Sequence, residues 1–114
     1  MIKNTKEYLN KIVHIEMDRP LGSFHPRYGF RYEINYGFVP NTVSGDGEEI
    51  DAYVMGVNEP LEEFDGKCVA IICRSEEDDD KLVVIPEELG DISDEEIIKA
   101  TYFQEKRYHI TINR

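Results

Sequence analysis

The sequence predicts a mainly β (α+β) fold, a small and mostly antiparallel β-barrel with one helix packed on it. Three observations lead there: short apolar segments alternate with period two, Gly- and Pro-rich connections separate them, and one late segment changes to helical spacing. At 114 residues, the chain from 1 to 114 is expected to form a single domain around one hydrophobic core.

In chain order, "KIVHIEM" (Lys11 to Met17) sets Val13, Ile15 and Met17 on one side and Ile12, His14 and Glu16 on the other, as a strand does. "DRPLGSFHPRYGF" holds two prolines, two glycines and a serine and reads as a long loop or loose hairpin. "RYEINYGFV" then places Tyr32, Ile34, Tyr36 and Phe38 on one face, with Pro40 ending the strand. Two further strands, Asp51 to Val57 and Lys67 to Arg74, flank an acidic loop around Pro60, and "KLVVIP" is a short fifth stopped by Pro86. Ser93 with Glu96 fits a capping box, and Ile97, Ile98, Thr101 and Tyr102 follow at helical spacing, so a helix of two to four turns is expected. "YHITI" returns to alternation as a last strand.

Composition narrows the function. Thirteen Lys and Arg against 24 Asp and Glu give a formal charge of −11, which opposes tracking a phosphate backbone and argues against nucleic acid as partner. No apolar run approaches the ~20 residues of a membrane helix, and "MIKNTKEYLNK" lacks a signal-peptide core, so a cytoplasmic protein with no membrane partner is expected. Cys68 and Cys73 lie an odd number of residues apart in one apolar run, which predicts opposite faces of a strand and no pairing. His14, His25 and His109 show no ligand spacing and read as polar strand or loop residues. Tyr32, Tyr53 and Tyr102 read as core or barrel-surface residues.

The chemistry concentrates in "YGFVPNTVSGDGEEIDAYV". On an extended chain Asp46 and Glu48 share a face and Asp51 points away, so the three converge only if Gly45 and Gly47 allow a bend. Two unit charges about 5 Å apart at an effective dielectric of ~20 repel by about 3 kcal/mol, so convergent carboxylates call for a cation among them. Hard oxygen ligands suit Mg²⁺ or Mn²⁺, while a solvated hairpin tip is the plainer alternative. An EF-hand is excluded, since, counting from Asp46, Ile50 and Asp51 fall at positions five and six, where its third ligand and its glycine belong. In "EEDDDKLVVIP" a second alternation puts Asp79 and Lys81 on one face with Leu82 and Val84 on the other, which suits either a metal–phosphate pair or a solvated acidic turn.

The order "IEMDRP", "INYGFVPNTVSGDGEEIDAYV", "EDDDKLVVIP", over roughly residues 11 to 86, resembles the family I soluble inorganic pyrophosphatases. Their Tyr-Gly-aromatic segment followed by D-G-x-x-x-D is the specific part of the match. The resemblance implies an OB-like five-stranded barrel, Mg²⁺ (or Mn²⁺) as cofactor and pyrophosphate as substrate. It implies metal-binding roles for Asp46, Asp51 and Asp79, phosphate contacts for Tyr36 and Lys81, and a cavity-edge position for Glu16. Glu48 stands where the family has the aspartate credited with helping to deprotonate the attacking water, and it carries the same charge on one more methylene.

Other positions depart from the family pattern. The metal-binding aspartate upstream of the E-D-x-K block is matched by Glu76, with Asp78 second. The shortened segment from Glu16 to Tyr36 offers Arg19, Arg27 and Arg31 as phosphate-binding cations, and Lys106 and Arg107 fall at the place of the family's Tyr-Lys contact. The resemblance also admits a homo-oligomer, although the long closing helix of many members is missing. The rival readings are a phosphohydrolase for another phosphoanhydride and a catalytically inactive binding module.

Overall fold

The computed structural model describes residues 5–43, 47–75 and 80–114. Six strands, β1 (Ile12–Arg19), β2 (Asn35–Val39), β3 (Ile50–Val54), β4 (Glu63–Arg74), β5 (Lys81–Ile85) and β6 (Ile110–Asn113), and a helix α1 (Asp94–Glu105) build the fold. The sheet runs β1-β2-β3-β5-β4-β6, and β1 also pairs with β4, which closes the first five strands into an OB-like barrel. The pairings are antiparallel except β3–β5, which is parallel. The length of β4 makes closure work: Glu63–Lys67 pair with β1, while Ile71–Arg74 pair with β6.

Period-two alternation divides the apolar residues between two cores. Val13, Ile15, Ile50, Ala52, Val54, Leu82 and Val84 fill the barrel interior. Tyr36, Tyr53, Ala70, Ile72, Val83 and Ile85 point outward and form a second core beneath α1. β5 is therefore buried on both sides, Lys81 included, and it does not present the solvated polar face that "DDDKLVVI" suggests.

Two bulges change side-chain parity. Val69 is the extra residue between Cys68, opposite Val84, and Ala70, opposite Val83. Both cysteines consequently pack against the barrel-interior core, not on opposite faces, and both are free. Asp18 is the extra residue between Met17, opposite Gly37, and Arg19, opposite Tyr36.

The strands differ in extent from their sequence pattern. β2 begins at Asn35, not Arg31, because the buried Asn35 side chain binds two loops: it accepts from the N–H groups of Leu21 and Leu61 at 2.9 and 3.0 Å and donates to the Glu59 carbonyl at 2.9 Å. The preceding segment folds as a loose hairpin, with Phe24 bridging Arg31. In α1 the Ser93 hydroxyl accepts from the Glu96 N–H at 3.1 Å, as the capping box predicts. Ile97 and Thr101 are the fully buried positions on the docked face, while Ile98 and Tyr102 face outward. Burying Ile97 contributes about 1.5–3 kcal/mol to docking the helix on the barrel.

Candidate active site

One row of paired residues crosses the outer wall of the barrel: Glu16 opposite Phe38, Phe38 opposite Asp51, Asp51 opposite Lys81, and Lys81 opposite Ile72. Partners across a ladder share a face, so the row sets the Asp51 carboxylate beside the Lys81 ammonium. Lys81 Nζ lies 3.2 Å from Asp51 Oδ2 and donates to the Tyr36 hydroxyl at 2.7 Å. Lys81 is 2 % exposed and Tyr36 8 %. A buried ammonium is tolerated only with such partners.

Lys81 and Tyr36 open into a cavity of about 580 Å³ between the barrel wall, the 19–32 hairpin and the end of α1. Arg19, Arg74, Lys106 and Arg107 bring four more cations to its lining. The bulge in β1 explains Arg19, since the extra residue turns both Asp18 and Arg19 toward the cavity. Gly37 makes room for that crossing, because a Cβ there would sit 2.0 Å from the Glu16 carbonyl oxygen. An aromatic wall completes the lining, with His25 4.9 Å from Tyr28 and from Phe30 between ring centroids, and Tyr32 stacked 5.4 Å from Tyr36.

The electrostatics follow from this crowding. Desolvation pushes the Asp18 carboxyl upward against the opposing pull of Arg19, and the charge of Asp51 adds to the rise. His25 is held below its ordinary range by desolvation, then by Arg19 and Arg27. Burial pushes the Tyr32 phenol up to about 12.

At the far end Arg74 donates from Nε to Glu105 Oε1 at 2.8 Å and from Nη2 to Oε2 at 3.0 Å. Tyr53 donates to Glu105 Oε2 at 2.5 Å, Gln104 Nε2 donates to the Tyr53 hydroxyl at 2.6 Å, and Tyr32 donates to Gln104 Oε1 at 2.7 Å. Burial pushes the Tyr53 phenol well above its ordinary value, ahead of the neighbouring Glu105 charge.

Of the residues singled out in sequence, Tyr36, Asp51 and Lys81 come together, and Arg19, Lys106 and Arg107 line the same cavity. Arg27 and Arg31 are exposed and stand outside the lining, with Arg27 lying 5.6 Å from the centre of the Tyr28 ring. Glu16 is exposed at the end of the row, and Glu48 is exposed three positions before Asp51. Asp46, Glu76, Asp78 and Asp79 lie outside the described residues. Of the expected metal ligands Asp51 alone is therefore described, and among the described residues no three His, Cys, Asp or Glu side chains gather as a metal set. Asp51 itself, a partly exposed carboxylate, is a hard oxygen donor of the kind a hard cation takes.

Sequence reading missed Asp18, Arg74, Gln104 and Glu105. A bulge or a strand-to-helix contact brings each of these to the site, and neither leaves a motif. The alternation of "KCVAIICR" did carry a faint signal for Arg74, a charge ending an apolar strand.

Fold and site together define a small OB-like barrel with a cation-lined cavity on its outer wall. The sequence matches the family model for inorganic pyrophosphatase over residues 3–110, and the chain belongs to that family. The inorganic pyrophosphatase of Mesorhizobium japonicum is 42% identical over 65 residues, covering 46% of this chain and 37% of that protein. That of Rickettsia prowazekii is 35% identical over 66 residues, 54% of this chain and 38% of that protein. The matched stretch thus spans little more than a third of these relatives. The crystal structure of inorganic pyrophosphatase from Ehrlichia chaffeensis superposes with a TM-score of 0.70 at 16% identity, over 96% of this chain and 86% of that one. That from Thermus thermophilus gives 0.63 at 18% identity, over 100% and 85%. At such identities the likeness is one of fold.

Proposed function

We propose that the protein hydrolyses inorganic pyrophosphate to two phosphates in a metal-dependent reaction. The observation that carries this reading is the Asp51–Lys81–Tyr36 constellation, opening into a cavity lined by further cations on a barrel of the inorganic pyrophosphatase family. Lys81, Tyr36, Arg19, Lys106 and Arg107 bind the phosphoryl oxygens and offset the charge that gathers on the leaving phosphate. Glu16 lies at the edge of the site. Asp46, Asp51 and Asp79, with Glu76, would hold Mg²⁺, for which Mn²⁺ is a chemical substitute.

Divalent cations, when bound, neutralise substrate charge and make water a stronger acid. Glu48 takes the water proton or orients the water as its oxygen bonds to one phosphorus and the bridging P–O bond breaks. The reading carries with it a cytoplasmic location, one pyrophosphatase unit over residues 1–114 that assembles as a homo-oligomer, and neither nucleic acid nor membrane as a partner.

The test is phosphate release from a panel of pyrophosphate, tripolyphosphate and nucleoside triphosphates, each with Mg²⁺ and with EDTA. Mg²⁺-dependent release from pyrophosphate above the others is expected. Preference for another phosphoanhydride, or no release from any, would replace the reading with one of its rivals.

A further inference from the structure

The Arg74–Glu105 pair is more than helix docking requires. Arg74 ends β4 and Glu105 ends α1, with side chains 7% and 2% exposed. Two apolar side chains of similar volume would attach the helix as well or better, because desolvating a charge pair is costly and its Coulomb gain often fails to exceed that cost. The pair is nonetheless held on all sides. Tyr53 and, through it, Gln104 and Tyr32 fix Glu105, while the Arg74 guanidinium lies 3.8 Å from the centre of the Tyr108 ring. An arginine locked in one plane loses little freedom on meeting an anion, and a guanidinium carries N–H donors beyond those at Nε and Nη2 that bind Glu105.

Its direction is equally specific. Arg74 lines the same cavity as Lys81. Lys81 pairs with Ile72, two residues before Arg74, so the two cations share a face of the β4–β5 ladder as diagonal neighbours, with backbones about 7–8 Å apart.

We infer that Arg74 is a phosphate-binding residue of this cavity, and that Glu105 and the Tyr53–Gln104–Tyr32 chain keep its guanidinium aimed. The inference rests on the pyrophosphatase reading and adds to it a fixed, protein-borne cation for a diphosphate. Arg74 would then add to the cavity's affinity for a diphosphate even when divalent metal is chelated.

The experiment is calorimetric titration of the full chain with imidodiphosphate in EDTA, comparing the native protein, Arg74→Lys, and the double variant Arg74→Met with Glu105→Gln. The double variant removes both buried charges at once and keeps an acceptor for Tyr53, and its fold is checked by circular dichroism and melting. The native protein is expected to bind, the folded double variant to bind at least tenfold more weakly, and Arg74→Lys to fall between. Native-like binding by the folded double variant, or no metal-free binding by the native chain, overturns the inference and leaves the pair a structural clip. Phosphate release by the native protein reads the underlying function separately. Arg74-dependent anion binding without release would keep the phosphate site and remove the pyrophosphatase reading.

Discussion

Asp51 and Lys81 stand directly opposite one another across the parallel β3–β5 pair, and Lys81 Nζ reaches both Asp51 Oδ2 at 3.2 Å and the Tyr36 hydroxyl at 2.7 Å. Three strands thereby hold one ammonium in place, and the cation needs no side-chain reorganisation as phosphate charge develops.

Tyr36→Phe tests that arrangement with a single oxygen. The variant removes an acceptor from a buried ammonium, and a lost hydrogen bond to a charged group costs about 1–3 kcal/mol of stability. Turnover of pyrophosphate should fall by about 10²-fold, as when one preorganised polar contact is removed. Urea unfolding and steady-state phosphate release read the two effects, and unchanged values in both would show that the hydroxyl does not hold Lys81.

Gly37→Ala probes the close crossing of β1 and β2. The added methyl would meet the Glu16 carbonyl oxygen at 2.0 Å, a backbone atom with no rotamer to yield. The pairing that carries Arg19 into the cavity would have to part, at a cost of about 3 kcal/mol or more. A thermal melt within a degree of the native protein would rule out so tight a crossing.

Much of this architecture was legible beforehand, for reasons that differ by element. Alternation revealed β1, β3, β4 and β5 because each buries at least one face, and Ser93 with Glu96 marked the helix start because a cap needs specific side chains at specific positions. The motif residues Tyr36, Asp51 and Lys81 were legible through the resemblance to the family motifs, while the strand register that brings them together was not. Bulges were not legible: nothing local in "MDR" or "CVA" announces an extra residue, yet these two bulges bring Asp18 and Arg19 to the cavity and turn Cys73 inward. The outward position of Ile98 and Tyr102 was hidden for another reason, since helical spacing gives a stripe but not which edge of it meets the barrel.

His14 gives a pH signature away from the cavity. On the outer face of β1 its Nδ1 lies 2.7 Å from Asp65 Oδ1 and its Nε2 3.6 Å from Glu63. The hydrogen bond to Asp65 raises its pKa first; slight desolvation opposes the rise, and the charges of Asp65, Glu63 and Glu16 add to it. A histidine raised on folding contributes stability that is fully present below its unfolded value of about 6.5 and is lost as pH climbs through the folded value. The side chain is 41% exposed, so solvent screening keeps the contribution small. An NMR titration should place His14 above 6.5 in the native protein and lower in Asp65→Asn, and equal midpoints would discount the pair.

Under the proposed function Asp51 serves a metal-dependent phosphoryl transfer besides pairing the buried Lys81 ammonium. The direct measurement is Mg²⁺-dependent phosphate release from pyrophosphate by the native protein and by Asp51→Asn, with circular dichroism on both. That role predicts fast release by the native protein and a loss of about 10³-fold or more in the variant, which is expected to stay folded but less stable. A folded Asp51→Asn that releases phosphate at the native rate would contradict it.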